Sequence, residues 1–90
     1  MIKKIYINKD VKKTLYYLYF NVGILKHKNI NNADKIEIDK NIKLIFKELD
    51  TLKVSYKIQN IVISLAENKN NFYNCYFIDL LNKNNIYVTN

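Results

Sequence analysis

Arginine, proline and tryptophan are absent from these 90 residues, and glycine, cysteine, histidine and methionine occur once each. Without arginine the chain lacks the planar fork that reads guanine through two hydrogen bonds, because lysine offers only a point charge. With one glycine, Gly23, it has no glycine-rich phosphate loop and no flexible linker. One cysteine, Cys75, excludes an internal disulfide, and with His27 alone for company it builds no zinc site. Lying between aromatics, Cys75 reads as a small buried residue in a reducing compartment. The densest apolar run, Leu15 to Leu25, is too short to span a bilayer and carries Asn21 inside it. No signal-peptide cleavage pattern and no Arg/Ser-rich transit peptide is visible, so an organellar protein of this kind is expected to be encoded in its organelle.

What is present is equally skewed. Asn (15), Lys (15), Ile (14), Tyr (8) and Phe (4) make up 56 of the 90 residues, all types with A/T-rich codons. A biased genome scatters lysine, whereas a binding face concentrates it, so the placement of the +7 net charge decides its meaning. Residues 1–28 hold seven Lys and one Asp, and residues 29–90 hold eight Lys and seven acids. A basic N-terminal third on a near-neutral body suits a surface facing nucleic acid, with an anionic membrane the weaker rival. A chain of this length buries about two thirds of its unfolded surface, enough for one domain, residues 1–90.

The pattern predicts a mainly α domain with a short N-terminal extended segment and an extended C-terminal tail. "MIKKIYI" alternates apolar and polar residues, as a short strand or extended arm does. Asp10 is placed to cap a helix in which Val11, Leu15, Leu18, Val22 and Leu25 form one apolar stripe. "NINNAD", residues 29–34, reads as a loop that lets Asp34 or Asp39 start the second helix, with Asp39 preferred, and that helix buries Ile42, Ile45, Phe46, Leu49 and Leu52. Lys53 to Ala66 has the Val and Ile content of a strand, while Val54, Ile58, Ile61, Val62 and Leu65 keep the spacing of a helix with Ser55 as a possible cap; the segment reads as helix by a narrow margin over strand. "ENKNN" breaks the pattern, "FYNCYFIDLL" is compatible with strand or short helix, "NKNN" is a turn and "IYVTN" an extended tail.

Candidate sites cluster at "FNVGILKHKN". Gly23 in a helical pattern costs about 1 kcal/mol relative to Ala, so it marks a helix end or a close backbone approach. The functional version has Gly23 letting backbone N–H groups, Lys26, His27 and Lys28 approach a phosphate. His27 has no nucleophile, second histidine or metal partner at a working spacing and is expected on the surface. Asp34, Glu37 and Asp39 read as caps and charge balance. Tyr16, Tyr17 and Tyr19 suit base stacking or, with greater weight, core and protein interface. No constellation points to an enzyme, a cofactor, a metal or a small-molecule substrate.

Taken in order, "NKDVKKTLYYLYFNVG", a basic stretch, an acidic linker into a helix, "VSYKIQNIVISL", a later Tyr and a terminal "TN" resemble the universal small-subunit ribosomal protein thirteen family. Asn8, Lys9, Val11, Leu15, Leu18, Val22 and Gly23 fall where that family has "N-K-x-V-x-x-A-L-x-x-I-Y-G-V-G", with one inserted residue and Asn21 in place of the first glycine. The family's next basic residues fall at Lys26 and Lys28, followed by an apolar position at Ile30. Its later "L-x-x-x-I-x-x-x-I-x-x-L" is matched at Val54, Ile58, Val62 and Leu65. Its "Y-R-G" stands here as Tyr73, Asn74 and Cys75, and its arginine-rich ending is reduced to Thr89 and Asn90 with Lys83 nearby.

The resemblance implies a helix-two-turns-helix-like domain that binds rRNA in the head of the small subunit. It implies neighbours in small-subunit protein nineteen and in the large subunit across the head bridge. A/T bias points to an organellar ribosome, in the mitochondrial matrix or a plastid. The residues expected at rRNA phosphates are Lys3, Lys4, Lys9, Lys12, Lys13, Gly23, Lys26, His27, Lys28 and Lys83. The family's basic tail near the peptidyl-site tRNA has no counterpart here, so that contact is not expected.

Two other classes compete. Residues 49–65, "LDTLKVSYKIQNIVISL", resemble a helix-turn-helix DNA reader with Lys57, Gln59, Asn60 and Ser64 as its recognition face and residues 72–89 as a wing. A small phage or mobile-element inhibitor acting by surface contact needs no fixed motif.

Overall fold

A computed structural model describes residues 3–74 and 76–89. The chain is mainly α-helical, with a short N-terminal strand, as the sequence predicts. Its elements run β1 (Ile5–Ile7), α1 (Lys9–His27), α2 (Asn32–Thr51), α3 (Tyr56–Glu67), α4 (Lys69–Asn74), α5 (Phe77–Lys83) and β2 (Ile86–Val88). The central helix α1 packs against both α2 and α3. Leu15 and Leu18 of α1, Leu49 of α2, Val62 and Ala66 of α3, Leu81 of α5 and Ile86 of β2 are fully enclosed in the shared core.

The helix starts are set by side chains that satisfy the orphan N–H groups of the first turn. Asn8, not Asp10, caps α1: its side-chain oxygen accepts from the Val11 amide at 2.8 Å. Asp10 lies inside the first turn, where its charge complements the helix dipole. Asn31 caps α2 by accepting from the Asp34 amide at 2.8 Å, so α2 begins at Asn32 and not at Asp39. The physical reason is that α2 outruns its buried face. From Asn31 to Asn41 only Ile38 is even half-buried, and apolar periodicity marks only the part that packs.

Gly23 does not end α1. The helix continues one turn further to His27, Gly23 is buried, and its φ is not positive. A missing Cβ at a buried helical position serves close packing. Gly23 shares a face with His27, and His27 meets the C-terminal turn of α3.

Between α2 and α3 the chain turns in a Schellman motif. Lys53 takes the left-handed conformation at φ 60°, its amide donates to the Asp50 carbonyl at 3.0 Å, and the Val54 amide donates to the Leu49 carbonyl at 3.0 Å. Ser55 then caps α3, accepting from the Ile58 amide at 3.3 Å. Gln59, only 2% exposed, donates from Nε2 back to the Val54 carbonyl at 3.0 Å, which locks the turn from inside.

Asn68 closes α3 and opens α4, its amide donating to the Leu65 carbonyl at 3.3 Å while its side chain accepts from the Asn70 amide at 3.0 Å. "ENKNN" is therefore a junction between helices. Phe72–Asn74 finish α4, and Phe77–Lys83 form α5. The described residues of 72–89 thus form helices and one strand that pairs with β1, not the expected wing. The expected extended "IYVTN" segment contains strand β2, paired in parallel with β1 in the register Ile5↔Ile86, Tyr6↔Tyr87 and Ile7↔Val88. Beyond the strand, the Thr89 amide donates to the Ile7 carbonyl at 2.7 Å. Met1, Ile2, Cys75 and Asn90, and with them the expectations for Cys75 and for the final Asn, lie outside the described residues.

Candidate nucleic-acid interface

The ten residues expected at phosphates do not form one patch. Lys9 and Lys26 stand at opposite ends of α1, about 25 Å apart at 1.5 Å per residue. Around the N-terminal end, Lys3, Lys4, Lys9 and Lys13 are exposed and Lys12 is half-buried. Lys83 is exposed in the last turn of α5.

The C-terminal end of α1 is turned to structure. Lys26 Nζ lies 3.8 Å from Glu67 Oε2, and His27 Nε2 is 2.8 Å from the Ala66 carbonyl oxygen, so His27 is half-buried, not a surface residue. Here two helices, α1 and α3, end side by side. Helix C-termini present carbonyl oxygens, which favour the Lys26 ammonium and a ring N–H donor such as His27 offers, and repel phosphate. The amides that follow Gly23 lie inside the helix and are spent on its ladder. The arrangement at "FNVGILKHKN" is a clasp between α1 and α3, and Gly23 contributes packing, not a phosphate cradle.

The opposite end gathers the basic residues around α3. Tyr6 and Asn8 share a groove of about 300 Å³ with Lys53 and Ser55, so the Asn8 end of β1 lies against the α2–α3 turn. The other end is fixed by the Ile5 amide, which donates to the Asn85 carbonyl at 2.8 Å. Asn84, next in the chain, lines a second groove of about 380 Å³ with Lys57, Asn60 and Ser64 of α3. No carboxylate lines either groove. The exposed face of α3 therefore offers Lys57, Asn60 and Ser64, with Lys53 in the turn before it and the Asn8 end of β1 at that turn. Gln59, expected on that face, points into the core.

Several of these residues escape a sequence reading that follows charge alone. Lys53, Lys57, Asn60 and Ser64 are visible only through the helix-turn-helix pattern. Tyr6 and Tyr87 carry a fainter signal, the matching triplets "IYI" and "IYV" near the two ends of the chain. Of the α1 tyrosines, Tyr19 is buried in the core and Tyr16 and Tyr17 are exposed. Tyr16 meets the ring of Phe77 edge-on at 5.6 Å.

Among the described residues no group of three or more His, Cys, Asp or Glu side chains is placed to hold a metal ion. Among the described residues no helix is long and apolar enough to cross a membrane. Comparison with protein families, with curated proteins and with solved structures returns no match for this chain.

Proposed function

We propose that this chain is a non-catalytic RNA-binding constituent of a ribosomal small subunit, of the protein-thirteen type, in an organelle with an A/T-biased genome. The observation that supports it is the gathering of exposed cations and neutral donors in two grooves around α3 that no carboxylate lines. Exposed Lys3, Lys4 and Lys9 flank a strand whose Asn8 end shares a groove with Lys53 and Ser55, and Lys57 lines a second groove with the neutral hydrogen-bonding groups of Asn60 and Ser64. Such a face neutralises phosphates and reaches sugar hydroxyls without the bidentate base reading that arginine supplies. Its partners are small-subunit rRNA, with small-subunit protein nineteen and the large subunit as the neighbours that the family resemblance implies. Exposed Tyr16 and Tyr17 suit the protein contacts.

Sedimentation of an organelle lysate, with mass spectrometry of each fraction before and after RNase, tests this. The chain should travel with the small subunit and move to the top of the gradient after RNase. A chain that stays at the top throughout overturns the reading.

One observation favours a second reading. The turn at Lys53, the Ser55 cap and the exposed Lys57, Asn60 and Ser64 are the parts of a helix-turn-helix that enters a DNA major groove. Competition between duplex DNA and structured RNA for the purified chain separates the two, since a DNA regulator keeps its complex when RNA is added.

A further inference from the structure

Parallel pairing in register sets Tyr6 beside Tyr87. Side chains alternate along a strand, and Ile5, Ile7, Ile86 and Val88 all pack on the core, so the two tyrosines stand together on the outer face. Their ring centroids are 6.0 Å apart and the planes are inclined by 36°. Lys4 Nζ lies 5.7 Å from the centre of the Tyr87 ring, which is half-buried, while Tyr6 is 62% exposed. The groove at the edge of Tyr6 carries Lys53 and Ser55 and no carboxylate.

A large aromatic ring held in water by a strand, with cations on two sides, matches one chemistry closely. It offers a flat face to a flat π-system and point charges to the anions that flank it, with no hydrogen-bonding code for sequence. Bases in a duplex already have both faces stacked, so the natural occupant is an unpaired nucleotide.

We propose that Tyr6 and Tyr87 form a stacking platform for unpaired nucleotides, with a base laid on the Tyr6 ring and its flanking phosphates held by Lys4 and Lys53. This rests on the RNA-binding reading above and specifies the part of the RNA that is taken, a loop, bulge or single-stranded joint. Tyr6 is the anchor, and Tyr87, braced by Lys4, supports its flank.

The test uses the full chain with labelled oligouridylate, a blunt RNA duplex and polyglutamate, each titrated at several salt concentrations. Oligouridylate is expected to bind more tightly than either of the others. Tyr6→Ala should weaken that complex about tenfold, the scale of one lost base–aromatic stack. Tyr6→Phe should restore it, and neither change should alter the salt dependence. Lys4→Gln should instead flatten the log–log salt slope by about 0.7, one phosphate contact on a single strand. Because Tyr6 is exposed, the variants keep the fold, and their melting curves verify it. Binding of oligouridylate that is indifferent to Tyr6→Ala, or matched by the duplex or by polyglutamate, overturns the platform and leaves RNA binding standing. Failure of the wild-type chain to bind any RNA overturns both.

Discussion

His27 and Lys26 are adjacent in sequence, and both were candidates for a ligand, yet the fold gives them unequal structural weight. The His27 ring reaches across 39 positions to the Ala66 carbonyl and is half-buried, whereas Lys26 and Glu67 meet with both side chains about half exposed. A partly buried hydrogen bond contributes about 1 kcal/mol, while an exposed ion pair is weakened by solvent screening to a few tenths. His27→Ala should therefore lower the unfolding free energy in urea by about 1 kcal/mol, and Lys26→Gln by less than about 0.5. Gly23, on the same face one turn earlier, is limited by volume. Gly23→Val should destabilise by roughly 1–3 kcal/mol through overpacking where α1 meets α3, seen as a lower urea midpoint at unchanged slope. If Gly23 bordered a ligand instead, the same substitution would change binding and leave the midpoint where it was.

At the scale of an element, the α2–α3 turn combines a strained residue with a strong cap. Lys53 holds a left-handed conformation that suits glycine, so Lys53→Gly should leave stability unchanged or raise it by up to about 1 kcal/mol. Under the proposed function the same change removes a phosphate contact and weakens RNA binding, so stability and binding move in opposite directions. Ser55→Ala removes the cap of α3 and should cost about 1 kcal/mol in the same urea titration. Elements also show where sequence reading succeeds. The stripe from Val11 to Leu25, the packed half of α2 and the cap at Ser55 were legible because burial and capping leave marks at fixed spacing. The first turns of α2 were not, since an exposed helix carries no apolar period. Nor was the pairing of β1 with β2, for three-residue strands at opposite ends of a chain hold no local sign of each other. The candidate site suffered most: a run of Lys and His at the end of α1 reads the same in sequence whether it meets phosphate or carbonyl oxygens. Only the neighbouring end of α3 decides between them.

For the molecule as a whole, about 0.05–0.15 kcal/mol per residue implies a total stability of roughly 4–13 kcal/mol. Leu18, fully enclosed where α1 meets its neighbours, should cost about 2–5 kcal/mol when cut to Ala, a large share of that total. Calorimetry should show a lower and broader transition for Leu18→Ala, where a peripheral residue would leave it in place. The closing strand has a different kind of consequence, one of timing. Ile86, fully buried in the second strand, enters the chain 81 residues after its partner Ile5. At about 5–20 residues per second of synthesis, the first strand waits roughly 4–16 s for its mate, while α1, α2 and α3 are already free to assemble. A fragment that stops before Ile86 lacks both the pairing partner of Ile5 and a fully enclosed core residue, so the early strand has nothing to pair with until the late one is made.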